Sequence, residues 1–199
     1  MSLRHTYRLL APFYDFVAGP LFAHARRASV ARLPVDVEAR VLIDGVGTGL
    51  DLPFLPPTHR YTALDITRAM LARAVKRGID VDVDWVEGDS QRLPFRDAAF
   101  DYVILHLILA VVPDGRAALR EAARVVKPGG QLLVFDKFLP RGQRAPLRRM
   151  LSPLAGRIAT RIDVVLEDLL DAARDVDVVE NNAALAGGWF RYVTLERRR

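Results

Sequence analysis

The 199-residue chain contains no cysteine. That absence excludes disulfides, thiolate metal ligands and a cysteine nucleophile, and it is compatible with a reducing compartment. Long apolar runs are missing as well. The stretch from Leu9 to Ala25 is interrupted by Asp15 and followed by Arg26-Arg27, which argues against a signal peptide. The run from Tyr102 to Val112 is too short to span a bilayer. No Gly-Lys-Ser/Thr tripeptide occurs, so the chain has no P-loop to cradle phosphates. The four histidines are scattered without ligand spacing, and no metal is expected. Neither an internal repeat nor a low-complexity tract appears, and the length suits one domain with one sizeable core. Acid is also locally absent: Phe138 to Ile162 holds six arginines and no Asp or Glu, within a chain of net charge +5 and pI near 10. Such a balance attracts nucleic acid, an anionic membrane or an acidic small substrate, or is simply a solvated face.

What is present is concentrated in Val41-Leu42-Ile43-Asp44-Gly45-Val46-Gly47-Thr48-Gly49-Leu50. An apolar, β-branched run ends in an acid and then in glycines at alternate positions. This pattern predicts a buried strand turning into a loop whose backbone approaches another group closely. A second acid, Asp65, closes the next strand-like run about 20 residues after the first glycine, where nucleotide-binding α/β folds place a carboxylate on ribose hydroxyls. A dinucleotide fingerprint needs a third glycine at the position held here by Leu50. The loop therefore suits an adenosine ligand with no pyrophosphate to hold.

At these residues the sequence resembles the class I S-adenosylmethionine-dependent methyltransferases, whose first motif is an acid followed by Gly-x-Gly-x-Gly. Other segments follow in the family's order. Tyr61 to Leu71 resembles the second motif, and the resemblance implies that Asp65 holds both ribose hydroxyls; a helix-capping aspartate has the same composition. Glu87-Gly88-Asp89-Ser90 follows the third strand, and the resemblance implies Asp89 at the adenine amino group; a polar turn is the alternative. Ala99 to His106 matches the fourth motif, and Arg124 to Leu132, with Pro128-Gly129-Gly130, matches a turn typical of the family. The resemblance covers roughly residues 38 to 137. It implies a cofactor site of Asp44, Gly45, Gly47, Thr48, Gly49, Asp65, Ile66, Asp89 and Ser90, with S-adenosylmethionine as methyl donor and S-adenosylhomocysteine as product. Asp44 stands where glutamate is more usual, and Val46 where cysteine or alanine is common.

The flanks resemble narrower groups. Tyr7 to Asp15 is similar to the amino-terminal Tyr-Asp element of bacterial phosphatidylethanolamine N-methyltransferases and quinone C-methyltransferases. Gly47 to Pro53 and His106 to Asp114 resemble the phospholipid group more closely. The acceptor expected is a lipid or lipophilic small molecule, phosphatidylethanolamine first and a quinone precursor second. A binding module for S-adenosylmethionine or RNA, without methyl transfer, is the rival from another class. No aromatic platform is interleaved with the arginines, which argues against nucleic acid. Two catalytic candidates follow: Tyr14, placed to line the sulfonium, and His106, the histidine at a strand end suited to take a proton. For His106 a satisfied core histidine is an equal alternative. Asp136-Lys137 ends the fifth strand at the same edge, facing substrate or forming a surface ion pair.

Alternation of strand and helix predicts an α/β fold with a doubly wound, mainly parallel sheet. The resemblance makes it a seven-stranded, Rossmann-like methyltransferase sheet with an antiparallel last strand. Strands are expected at 40–44, 60–64, 81–87, 100–105, 131–135, 175–180 and 189–196. Helices are expected at 67–76, stopped by Gly78, and at 114–126, capped by Asp114. Residues 1–36 form a helical cap broken at Pro12 and Gly19-Pro20, and 138–173 a basic helical lid, all within one domain over 1–199. In the lid Arg141, Arg144 and Arg148 form one stripe and Leu147, Met150, Leu151, Leu154 and Ile158 another, with a kink at Pro153. This is an ordinary lid helix or a surface for an anionic membrane. The expected location is the cytoplasm, with peripheral membrane contact as an extension.

Overall fold

The computed structural model describes residues 20–77, 81–139 and 163–199. Gly78, most of the N-terminal cap including Tyr14, and the arginine-rich segment 140–162 lie outside them. The strands are β1 (Arg40–Asp44), β2 (Arg60–Asp65), β3 (Val83–Glu87), β4 (Phe100–His106), β5 (Val126–Lys137), β6 (Val176–Leu185) and β7 (Phe190–Arg197). The helices are α1 over 20–30, α2 (Arg68–Lys76), α3 (Gly115–Val125) and the short α4 (Leu166–Leu170).

All seven strands form one sheet in the order β3-β2-β1-β4-β5-β7-β6. The first five pair in parallel, and β7 runs antiparallel to both β5 and β6. The expected fold class is therefore observed. Both faces are covered, which is why the central strands are almost continuously apolar. One face packs Leu42, Leu64, Val103, Leu105, Leu132 and Val134 against Leu119, Ala122 and Ala123 of α3 and Leu166 and Leu169 of α4. The other packs Val41, Ile43, Ala63, Ile104 and Leu133 against Val30 of α1 and Leu71 and Ala74 of α2. Strand order reverses between β1 and β4, so the loops after these two strands face each other across the crevice where such sheets bind ligands.

Two boundaries, the start of β5 and the end of β6, differ from expectation by five residues, and the others by two or fewer. Strand β5 begins at Val126, and Lys127-Pro128-Gly129-Gly130 forms a bulge inside it rather than a turn before it. Val126 pairs with Phe100 and Gln131 with Tyr102, so the extra residues loop out with Gly129 at φ +77°. Arg197 Nη1 donates to the carbonyls of Arg124 and Val126, which holds the early part of the strand in place. Strand β6 continues through Asn181 and Asn182 to Leu185. Asparagine is a poor strand former, yet pairing with Val193 and Tyr192 across the hairpin at Ala186–Gly188 overrides that preference.

The start of α3 matches its sequence signal. The Asp114 carboxylate accepts the N–H groups of Arg116 and Ala117, satisfying two donors the helix itself cannot. Asp114→Ala is expected to lower stability by about 1 kcal/mol, measured as a shift in urea midpoint at unchanged slope.

Candidate functional site

The loop after β1 is built from three left-handed glycines, Gly45 (φ +74°), Gly47 (φ +56°) and Gly49 (φ +81°), a conformation that costs any other residue about 1–2 kcal/mol. Space separates their roles. A Cβ on Gly45 would lie 2.6 Å from Ile108 Cδ1, and one on Gly49 would lie 2.5 Å from Leu52 Cδ1 and 3.1 Å from the Ala74 Cα of α2. Those two glycines let protein pack on protein. A Cβ on Gly47 would meet nothing nearer than the Gly45 carbonyl at 4.0 Å. Gly47 is thus the one of the three with open space beside its backbone.

The loop is pinned by backbone and carboxylate bonds. Gly45 and Val46 both donate to the Leu64 carbonyl at 2.9 Å. Asp65 accepts from Gly47 N at 2.9 Å through one oxygen and from Thr67 N at 2.8 Å through the other. It therefore serves as the helix-start carboxylate, and the Thr67 side chain is a further hydrogen-bond partner. Burial pushes the Asp65 carboxyl above its ordinary range, against the pull of those two N–H groups and of the Thr67 side chain. The Thr48 carbonyl, on a buried residue, is held by the Arg77 guanidinium at the end of α2.

Asp44 is 1% exposed. Ser90 Oγ donates to its Oδ1, while its Oδ2 is buried with no partner among the described residues. Burial raises the Asp44 carboxyl to about 7; the Ser90 bond opposes this, and the charges of Asp65 and Asp89 add to it. A buried carboxylate oxygen without a donor is costly unless a cation or donor arrives. Asp89 takes Gln91 N at 2.9 Å and the Gln91 amide at 3.0 Å, so it also organises the turn after β3. Ile66, just past β2, is 40% exposed, an apolar side chain with a free face at the site's rim.

Across the crevice, β4 ends in His106. Leu107 follows at φ +58°, and this turn sends Ile108 over Gly45. A non-glycine residue in that region stores strain of about 1–3 kcal/mol and is held by its surroundings, here by a bond from Leu107 N to the Phe135 carbonyl. His106 is enclosed. Its Nδ1 lies 2.7 Å from Asp51 Oδ1 and its Nε2 lies 2.8 Å from Ser29 Oγ of α1. Asp51 Oδ2 also takes Arg26 Nη1 at 2.7 Å. Asp136, at the end of β5, is buried and accepts the N–H groups of Ala110 and Lys137, which ties the loop after β4 to β5.

The chain matches the family model described as "Methyltransferase domain" over residues 43–134. A phosphatidylethanolamine N-methyltransferase of Cereibacter sphaeroides is 30% identical over 190 residues, covering 93% of each chain. The chain belongs to the S-adenosylmethionine-dependent methyltransferases. A demethylmenaquinone methyltransferase of Mycolicibacterium vanbaalenii is 34% identical over 145 residues, covering 69% of this chain and 62% of that one. Among solved structures, the methyltransferase seen in complex with the Haloferax volcanii Trm112 methyltransferase activator superposes with a TM-score of 0.79. It is 19% identical, covering 100% of this chain and 98% of that chain, a likeness of fold.

Family and fold imply S-adenosylmethionine as the methyl donor, and two features of the described residues fit it. The orphaned Asp44 oxygen suits an ammonium, and the open face of Gly47 suits close backbone approach. The structure brings Asp44, Gly45, Gly47, Thr48, Gly49, Asp65, Asp89 and Ser90 to the carboxyl ends of β1, β2 and β3. It also assigns tasks that the sequence did not reveal. Ser90 is bonded to Asp44 rather than pointing free, and Arg77, Asp51, Arg26 and Ser29 were not singled out. Of these only Asp51 carried a signal, a polar group inside an apolar run that needs a buried partner.

These observations give two predictions. Below about 7 Asp44 is protonated and offers no charge to an ammonium, so affinity for S-adenosylhomocysteine should rise as pH increases from 6 to 8. The same raised carboxyl keeps a proton that the unfolded chain releases, so the ligand-free protein should lose stability between the ordinary carboxylate range and about 7. Calorimetry at several pH values checks the first, and Asp44→Asn should flatten the dependence. The glycines should also separate. Gly47→Ala is expected to cost about 1–2 kcal/mol of stability and at least about tenfold in S-adenosylhomocysteine affinity. Gly49→Ala should cost more stability, about 2–4 kcal/mol from strain and overpacking together, read by urea denaturation.

Proposed function

We propose that this methyltransferase acts on a lipid or lipophilic small molecule, with phosphatidylethanolamine as the leading acceptor. The observation that carries the reading is the match to the Cereibacter sphaeroides phosphatidylethanolamine N-methyltransferase along 93% of both chains, rather than over the cofactor-binding half alone. A quinone precursor is the second reading, supported by the demethylmenaquinone methyltransferase match, which covers less of either chain. When bound, S-adenosylmethionine supplies an electrophilic methyl on a sulfonium.

In this reading Asp44, Asp65 and Asp89 would hold the cofactor by its amino group, ribose and adenine, with the glycine loop beside it. Ile66 would offer its exposed apolar side chain to the purine. Alignment of donor and acceptor and exclusion of water carry most of the rate, by roughly 7–11 kcal/mol in the best-oriented intramolecular systems. His106 is the candidate to receive the acceptor's proton and Tyr14 the candidate to line the sulfonium. The acceptor enters at the ends of β4 and β5, where Phe22, Phe135, Phe190 and Tyr192 form an aromatic cluster suited to an apolar molecule. Among the described residues no helix is long and apolar enough to cross a membrane. A lipid acceptor would then be reached by peripheral contact, for which the basic segment 138–173 is the proposed surface and the cytoplasm the proposed location.

The test is transfer of labelled methyl from S-adenosylmethionine to defined acceptors. Vesicles of phosphatidylethanolamine with anionic lipid should become labelled, and demethylmenaquinone in the same vesicles should not. Label on the quinone alone replaces the first reading with the second. Label on neither, with S-adenosylhomocysteine still binding, removes both acceptors.

A further inference from the structure

Four polar side chains, Arg26, Ser29, Asp51 and His106, are buried together beneath α1. They form one chain: Arg26 to Asp51, Asp51 to His106 Nδ1, and His106 Nε2 to Ser29. Arg26 and Ser29 stand one helical turn apart on the same face of α1, so the helix is docked at two polar points. Asp51 follows the glycine loop directly and begins the 3₁₀ turn Leu52–Phe54, whereas His106 ends β4. The chain therefore joins cofactor loop, strand end and cap helix.

The Asp51–His106–Ser29 spacing matches that of an activated serine nucleophile. Ser29 is nevertheless 1% exposed and sits inside a helix, where an incoming carbonyl has no approach. The arrangement holds position instead of attacking. Burial pulls the Asp51 carboxyl up, but the Arg26 charge, the electrostatic pull of His106 and the hydrogen bonds from both outweigh it and hold it well below the carboxylate range. An ionised carboxylate accepts only, so Nδ1 of His106 must carry its hydrogen. In the neutral ring Nε2 is then the lone-pair nitrogen, and the Ser29 hydroxyl donates to it.

We propose that Asp51 is a positioning residue: it fixes His106 as the Nδ1–H tautomer, and Ser29 of the seated cap helix covers the remaining lone pair. Any proton accepted by His106 must enter through that nitrogen, so the seating of α1 controls whether the ring is available. The proposal rests on reading His106 as the group nearest the acceptor, but its test uses no acceptor.

The substitution Asp51→Asn makes a specific change. Arg26 presents donors to residue 51, so the asparagine oxygen turns toward Arg26 and its NH₂ toward Nδ1. The ring must then move its hydrogen to Nε2, which Ser29 can accept. In the full chain with ¹⁵N-labelled histidine, His106 is assigned by its loss in His106→Gln. The wild-type ring should show a protonated Nδ1 and a bare Nε2 at pH 7.5, and Asp51→Asn should reverse them. Affinity for S-adenosylhomocysteine should change by less than about threefold, because the Asp51 side chain points to α1 and His106. Ser29→Ala should leave the tautomer in place, shift the Nε2 signal and speed amide exchange over 26–30 by at least about tenfold. A wild-type ring protonated at Nε2, or an unchanged tautomer in Asp51→Asn, overturns the proposal. If Asp51→Asn does not fold, the wild-type spectrum and Ser29→Ala decide: a bare Nε2 that responds to Ser29 supports it, and an unresponsive Nε2 overturns it.

Discussion

The Asp65 carboxylate accepts one N–H from the glycine loop after β1 and one from the residue that starts α2, and the shape of the candidate site depends on that bridge. The loop has little else to shape it. Its glycines make many backbone paths accessible, and their freedom is lost on folding. The Leu64 carbonyl, held at the neighbouring strand end, takes two N–H groups from the loop, and Asp65 takes a third. Ile108 and Ala74 then fill the space that side chains at Gly45 and Gly49 would need. What remains is a short stretch around Gly47 with its backbone presented outward.

The same device recurs along the carboxyl edge of the sheet. Asp44, Asp65, Asp136 and Asp51 are all buried there or just beyond it, and each carries a hydrogen bond from another loop, strand end or helix. Their electrostatics differ with the partner. Asp44 has a neutral hydroxyl for a partner and two acids nearby, and burial wins, raising its carboxyl to about 7. Asp51 is as deeply buried, yet a guanidinium and an imidazole keep it ionised. The first is poised to gain from a cation, and the second already has one. Burial alone predicts the first but not the second, where the charge of the neighbour decides.

Much of the fold was legible because its signals are local. Strand-like runs of five to seven residues, mostly apolar in β1, β4 and β5 and alternating with acids in β3, marked the five parallel strands, and Asp114 marked the start of α3. The two boundaries that moved most did so for non-local reasons: β6 passes through two asparagines because β7 lies beside it, and β5 begins early because Arg197 reaches back to it. Within the site, the carboxylates and glycines were legible as types, but their division of labour was not. Nothing in the spacing of Asp44 and Ser90 announces a bond across 46 residues, nor does the loop distinguish Gly47 from its neighbours.

Sequence by itself therefore determined the strand–loop–helix unit and the kind of ligand it suits. Left-handed glycines, a strand-end acid and the missing pyrophosphate signature are properties of a few consecutive residues. Tertiary structure decided which of those groups remain available. Gly45 and Gly49 are spent on packing, Ser90 on Asp44, and both nitrogens of His106 on Asp51 and Ser29. Hydrogen-bond capacity is finite and is allotted by neighbours distant in sequence, so a residue's type is local information whereas its freedom to act is not.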